Sequence, residues 1–190
     1  MVTKFSNYLN YTFTKWWICL LFLVISGICF GYLVPKAQKP IFANCSDNNV
    51  TKVLDERIMT WTADDAKQFY EVIGSEGRKA YKLFFIKLDF WFPAFSASLF
   101  YISLLSYAFP IGSKYSKLNL LPILGWLMDV FENINHYIMA GSYPNLSSFS
   151  LTIGPLFTFA KWLFVISIPI IALIGFTLRI LTKYVKTKII

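Results

Sequence analysis

Hydrophobic positions dominate four stretches, 16–34, 83–109, 120–140 and 152–180. Each is near or above the roughly 20 helical residues that cross a hydrocarbon layer of about 30 Å. Between the first two the pattern changes. In "PKAQKPIFANCSDNNVTK" two prolines and a cluster of Asn, Asp and Ser end the apolar run, so this half of segment 35–82 reads as loop. In "TWTADDAKQFYEVIG" Thr62 and Asp65 have capping-box spacing, and Ala66, Phe69, Tyr70 and Ile73 recur at helical period before Gly74. The spacing predicts an amphipathic helix over 63–73, resting as a lid on the helix ends or in the headgroup layer. Ser75 is placed to cap a further helix through "EGRKAYKLFF" into the second stretch.

The third stretch, "LPILGWLMDVFENINHYIMAG", is the anomaly, because it sets ionisable groups into an apolar helix. At 100° per residue Pro122, Gly125, Trp126, Asp129, Glu132, Asn133, His136 and Ala140 project onto one face. Ile123, Leu124, Leu127, Phe131, Ile134 and Ile138 take the opposite face, with Asn135 as its polar exception. Such sorting predicts that the polar side meets protein and the other meets lipid. Each ionisable group at mid-membrane costs about 2.5–3.5 kcal/mol or more, so each needs a partner or a wet cavity.

Partners are expected from depth. Lys161, in "TFAKWLF", lies about 12 Å into the fourth stretch at 1.5 Å per residue, level with Glu132. That pair is the expected ion pair, with Asp129 one turn away as the competing acceptor. Asp89, in "FFIKLDFWFPAF", lies about 9 Å in and level with His136, while Lys87 is shallow enough to snorkel. Asp89 also begins a face of small or polar residues, Pro93, Ser96, Ser103 and Tyr107, suited to close helix contact. Gly27 and Gly31 form a GxxxG in the first stretch, expected to pack within the bundle.

Composition agrees with a membrane-embedded chain: 56% of the 190 residues are hydrophobic and 19% aromatic, with mean hydropathy +0.54. The net charge of +8 would suit nucleic acid if it formed a patch. Many of the bases instead flank the apolar stretches: Lys4 and Lys15, then Lys114 and Lys117, then Arg179, Lys183, Lys186 and Lys188. The first loop also carries Lys36, Lys39, Lys52, Arg57, Lys67, Arg78 and Lys79, but it is long and mixed with acids, and such loops bias topology less. The flanking clusters fall on one side of a four-span chain, and the positive-inside bias puts that side, with both termini, in the cytoplasm.

The expected order is a cytoplasmic N-terminal segment 1–15, a first span 16–34, an outer loop 35–82 and a second span 83–109. A cytoplasmic loop 110–119, a third span 120–140, an outer loop 141–151, a fourth span 152–180 and a basic cytoplasmic tail 181–190 complete it. The fold class is all-α, a four-helix transmembrane bundle with a short extracytoplasmic amphipathic helix. The first apolar run is longer than a signal-peptide core and reads as an uncleaved anchor. Asn44, Asn49 and Asn145 begin glycosylation sequons in the outer loops, although Asn10 begins one on the inner side.

Candidate chemistry is sparse. Glu132 and His136, one turn apart with Asp129 beyond, form the only candidate acid/base set. Asp89, Asp129, Glu132 and His136 could ligate zinc or iron, but the chain has one histidine and no Glu-x-x-His pair, so no metal and no cofactor are expected. No GxSxG, phosphate-binding glycine loop, HExxH or CxxC occurs. The functional expectation is a non-enzymatic membrane component. Its polar network, Asp89, Asp129, Glu132, Asn133, His136 and Lys161, holds the helices and is a candidate site for a lipid headgroup or small polar ligand. The alternatives are a lipid-modifying enzyme using Glu132 and His136, and an accessory subunit with membrane protein partners. Nucleic acid is not an expected partner.

Gly74, Gly77, Arg78 and Tyr81, then Asp89, Phe92 and Pro93, then Asp129, Glu132 and Asn133, and finally Lys161 and Trp162 form an ordered series. In these motifs the chain resembles a group of small, largely uncharacterised four-span membrane proteins, over roughly residues 60–165. The resemblance implies the four-span fold and carries no activity with it. The cysteine signatures of tetraspanin and claudin outer loops are missing.

Overall fold

The computed structural model describes all residues except 48, 49, 59, 92, 189 and 190, and the backbone alone for 183–188. Asn49 of the second sequon and Phe92 of the resemblance motif lie outside the described residues, as do the side chains of Lys183, Lys186 and Lys188. All regular structure among the described residues is helical. Its helices are α1 (Val2–Phe13), α2 (Trp16–Ile28), α3 (Val34–Phe42), α4 (Ala63–Val72), α5 (Gly74–Phe84), α6 (Pro93–Ala108), α7 (Leu121–Ser142) and α8 (Ser148–Lys188).

Three helical runs, Trp16–Phe42, Gly74–Ala108 and Ser148–Thr182, are long and apolar enough to cross a membrane. The first joins α2 to α3 through a π turn, Cys29–Leu33, and so continues well past residue 34. The loop expected from Pro35 and Pro40 is therefore partly helix. Pro35 stands in the first turn of α3, directly after the π turn, and Gln38 and Ile41 bury one face of the extension. The second run joins α5 to α6 through another π turn, Phe85–Asp89, and a bend at Phe90 and Trp91.

α6 is the hub: α2 packs along one side of it, and α7 and α8, packed on one another, along the other. Large apolar side chains point away from these seams, among them Leu20, Leu23 and Val24 on α2 and Leu163, Ile166 and Ile170 on α8. That much exposed apolar surface is foreign to a protein in water. Gly27 and Gly31 also face outward with nothing within 4 Å of a Cβ at either, so the expected packing of the GxxxG within the chain does not occur.

Two cores close the ends. At one, α1 sits on α6 and on the 3-10 turn Ser116–Leu120. Ser6 Oγ donates to Asn119 Oδ1 at 2.9 Å, and Asn119 Nδ2 donates to the Ser6 carbonyl at 3.0 Å. Arg179 reaches the Tyr107 carbonyl at this same end. At the other end a buried core joins described residues of segment 35–82 to the helices. α4 begins with the expected capping box, Thr62 Oγ1 accepting from Asp65 N at 3.1 Å and Asp65 Oδ2 from Thr62 N at 2.8 Å. Its stripe of Ala66, Phe69, Tyr70 and Ile73 is fully buried against Ile41, Leu54, Tyr81, Phe85 and Met139. Ser75 caps nothing. α5 instead starts from Ile73 through Gly74, whose φ of +66° turns the chain at little cost for glycine.

Candidate functional site

The polar face of α7 is buried as the helical period requires: Asp129, Glu132, Asn133 and His136 are between 0% and 7% exposed. Leu124, Phe131, Ile134 and Ile138 on the other side are exposed. Asn135 departs from this sorting. The chain folds back at 143–147 so that α8 starts beside α7, and Asn135 Nδ2 donates to the Ser150 carbonyl at 3.1 Å. A projection of one helix cannot register a neighbour that arrives obliquely.

Lys161 projects from α8 into this face. It is ion-paired with Glu132 and lies 3.5 Å from an Asp129 oxygen. Its ammonium also donates to the Asp55 carbonyl at 3.1 Å, and the neighbouring Trp162 Nε1 donates to the same oxygen at 3.3 Å. Asp55 comes from the 3-10 turn Leu54–Glu56, and its carboxylate accepts from Tyr81 Oη at 3.0 Å. Glu132 has a further partner, the Thr158 hydroxyl, which itself accepts from Trp61 Nε1 at 2.9 Å. Three segments, α7, α8 and the turn Leu54–Glu56, therefore meet at one lysine and one glutamate, with Trp61 and Tyr81 joined to them through Thr158 and Asp55.

His136 is in a different environment. Its Nδ1 lies 3.1 Å from Tyr70 Oη, and the rings of Trp61, Tyr81 and Phe85 enclose it at centroid distances of 5.5, 5.9 and 6.0 Å. Its Nε2 is 3.8 Å from Glu132, beyond hydrogen-bond reach. Burial pushes the Tyr70 hydroxyl well above the ordinary tyrosine range, so it faces the ring as a neutral group.

Asp89, which ends the π turn Phe85–Asp89, lies against Asn133 and near Asp129. Asn133 Nδ2 donates to Asp129 Oδ2 at 3.2 Å. Asp89, Asp129 and Lys161 share a cavity of about 170 Å³. Asp55, Glu56 and Gln38 line its α4 end, and Pro122, Phe164 and Ile168 its apolar depth; Glu132 and His136 do not reach it. Glu56 accepts from Gln38 Nε2 at 2.7 Å, and burial raises its carboxyl above the ordinary range. Among the described residues no three His, Cys, Asp or Glu side chains are grouped to hold a metal ion.

The glycine-arginine motif serves the same assembly. A Cβ on Gly77 would stand 2.6 Å from the Ile41 carbonyl, so α5 can meet α3 only through glycine. Arg78 donates to the Tyr70 carbonyl at 2.6 Å and covers the Tyr143 ring at 4.5 Å. Both remaining sequon asparagines of the two loops, Asn44 and Asn145, are exposed.

Sequence reasoning missed Asp55, Trp61, Tyr70 and Thr158. Three come from a segment whose fold is set by tertiary contact. The fourth carries a signal: Thr158 lies three residues before Lys161, on the face that Lys161 must bury.

Comparison with protein-family models, curated proteins and solved structures found no match in any of the three.

Proposed function

We propose that the chain is a four-span integral membrane protein with a non-enzymatic role, and that its intramembrane polar cluster both fixes the helices and forms the head of a ligand site. α7 supplies the fourth span. Its 22 residues are long enough, and its ionisable groups are turned inward onto Lys161. Lys4, Lys15, Lys114, Lys117 and Arg179 mark the cytoplasmic end, so segment 35–82 caps the opposite side. The likeness to small four-span membrane proteins supports the same topology.

The observation that carries the ligand reading is the division of labour inside the cluster. Glu132 and His136 are fully enclosed and do not line the cavity, which speaks against acid/base chemistry on a substrate. Asp89, Asp129 and Lys161 instead line open volume, and a cavity that is charged at one end and apolar in its depth suits a lipid headgroup or small polar ligand.

Native mass spectrometry of the purified chain tests this. A bound species that Asp89→Asn releases, while Glu132→Gln lowers stability, supports both halves of the reading. A chain without adducts in several mild detergents would reduce the cluster to a helix lock.

A further inference from the structure

The cavity has a side that the helix lock does not require. α2 packs on α6, and α8 on α6 and α7, but the first and last helices make no comparable seam with each other. Phe30 and Val34 from one and Val165 and Ile168 from the other line the same volume, and Phe30 is half exposed. The cavity thus borders the lipid-facing surface between α8 and the first helical run, Trp16–Phe42, where α2 passes through the π turn into α3.

Two groups in its lining are incompletely matched among the described residues: Asp89 has Asn133 beside it but no cation, and Trp126 Nε1 has no acceptor. Asp89 is 8% exposed, and no cationic side chain among the described residues lies within 4 Å of its carboxylate. The one lysine of the cluster is shared between Glu132 and Asp129. Of the acids in the cluster, Asp89 and Asp129 line the cavity, and Lys161, which is shared with Glu132, lies within 4 Å of Asp129 alone of these two. Trp126 Nε1 is a buried donor with no acceptor, one helical turn from Asp129 on α7 and deeper along the same wall. Phe30, Phe84 and Trp162 add aromatic faces, which attract cations.

Resting on the membrane-site reading above, we propose that this cavity takes the ammonium head of a single-chain amphiphile admitted sideways from the lipid between α8 and the first helical run. The ammonium meets Asp89 and Asp129. An ether, ester or hydroxyl oxygen one turn deeper accepts from Trp126 Nε1, and the first carbons lie against Pro122, Phe164 and Ile168. The volume, about that of an engineered cavity that holds benzene, admits a head and a few carbons. A longer chain leaves past Phe30 into the bilayer.

The probe is 3-(decyloxy)propan-1-amine, titrated onto the full chain in dodecyl maltoside with tryptophan fluorescence as readout. Tetradecan-1-amine, tetradecanoate and propan-1-amine serve as comparisons. Saturable binding of the ether amine is expected, weakened about tenfold or more in Asp89→Asn, with melting temperature kept or raised. Trp126→Phe, which keeps a ring and loses the N–H, should weaken the ether amine several-fold and leave tetradecan-1-amine unchanged. If Asp89→Asn does not fold, that selectivity alone decides. Tetradecanoate binding as tightly as the amines would overturn the ammonium assignment and leave a ligand site standing. Propan-1-amine binding as tightly as the tailed amines would overturn the lipid source. Absence of saturable binding by every probe would overturn the proposal and, with an adduct-free native mass spectrum, the ligand reading beneath it.

Discussion

Lys161 and Glu132 form a buried ion pair that also ties the membrane-facing helices to the segment above them, because the same ammonium donates to the Asp55 carbonyl. A buried pair of this kind adds little over two apolar residues of equal volume, since desolvation offsets the attraction. Its leverage lies in what remains when one partner goes.

Lys161→Met leaves Glu132 and Asp129 uncompensated and the Asp55 carbonyl with Trp162 as its one remaining donor. A loss of about 3–5 kcal/mol is expected. The double variant Lys161→Met with Glu132→Met should recover a large part of it. Thermal unfolding of the three proteins in one detergent checks this, and a double variant as unstable as the single one would refute it.

Thr158 joins Trp61 to Glu132 through one hydroxyl. Thr158→Val preserves shape and removes both bonds, for an expected loss of about 1–3 kcal/mol, while Thr158→Ser loses less. Equal melting temperatures for Val and Ser would show that packing, not the hydroxyl, matters at this position.

Close approach of α5 to α3 makes Gly77→Ala costly, about 1–3 kcal/mol, because the new methyl meets backbone and the Ile73 side chain rather than a flexible end. Gly27→Ala meets nothing and should stay within about 0.5 kcal/mol of the parent. Paired melting curves separate the two sites.

Asp65 supplies a pH dependence outside the spans. Its hydrogen bonds with Thr62, then the nearby Arg57 guanidinium, hold its carboxyl below the ordinary range. A depressed carboxyl stabilises the fold above its unfolded value of about 4, and that contribution fades as pH falls through the folded one. Asp65→Ala should cost about 1 kcal/mol at neutral pH. Below about pH 4 the gap between variant and parent should narrow. Amide exchange in the first turn of α4, followed against pH, reads this directly.

The spacing of Asp129, Glu132, Asn133 and His136 made the buried face of α7 legible, because helical period alone decides which side chains share a face. Lys161 was legible too, since an acid at that depth needs a cation and only one lay level with it. Asp55 and Trp61 were not: they sit in irregular chain between α3 and α4, where position comes from contacts made across a hundred residues. Proline misled at 35 and 40, where a π turn and a buried face carry the helix onward.

The bond from Lys161 to Asp55 also sets an order of assembly. During synthesis, Asp89, Asp129 and Glu132 all leave the ribosome before the lysine that compensates two of them. A nascent chain halted ahead of α8 therefore carries these acids without Lys161, and segment 35–82 has neither Lys161 nor Trp162 to hold the Asp55 carbonyl. Of the described helices, the last to emerge is the one that completes the polar cluster.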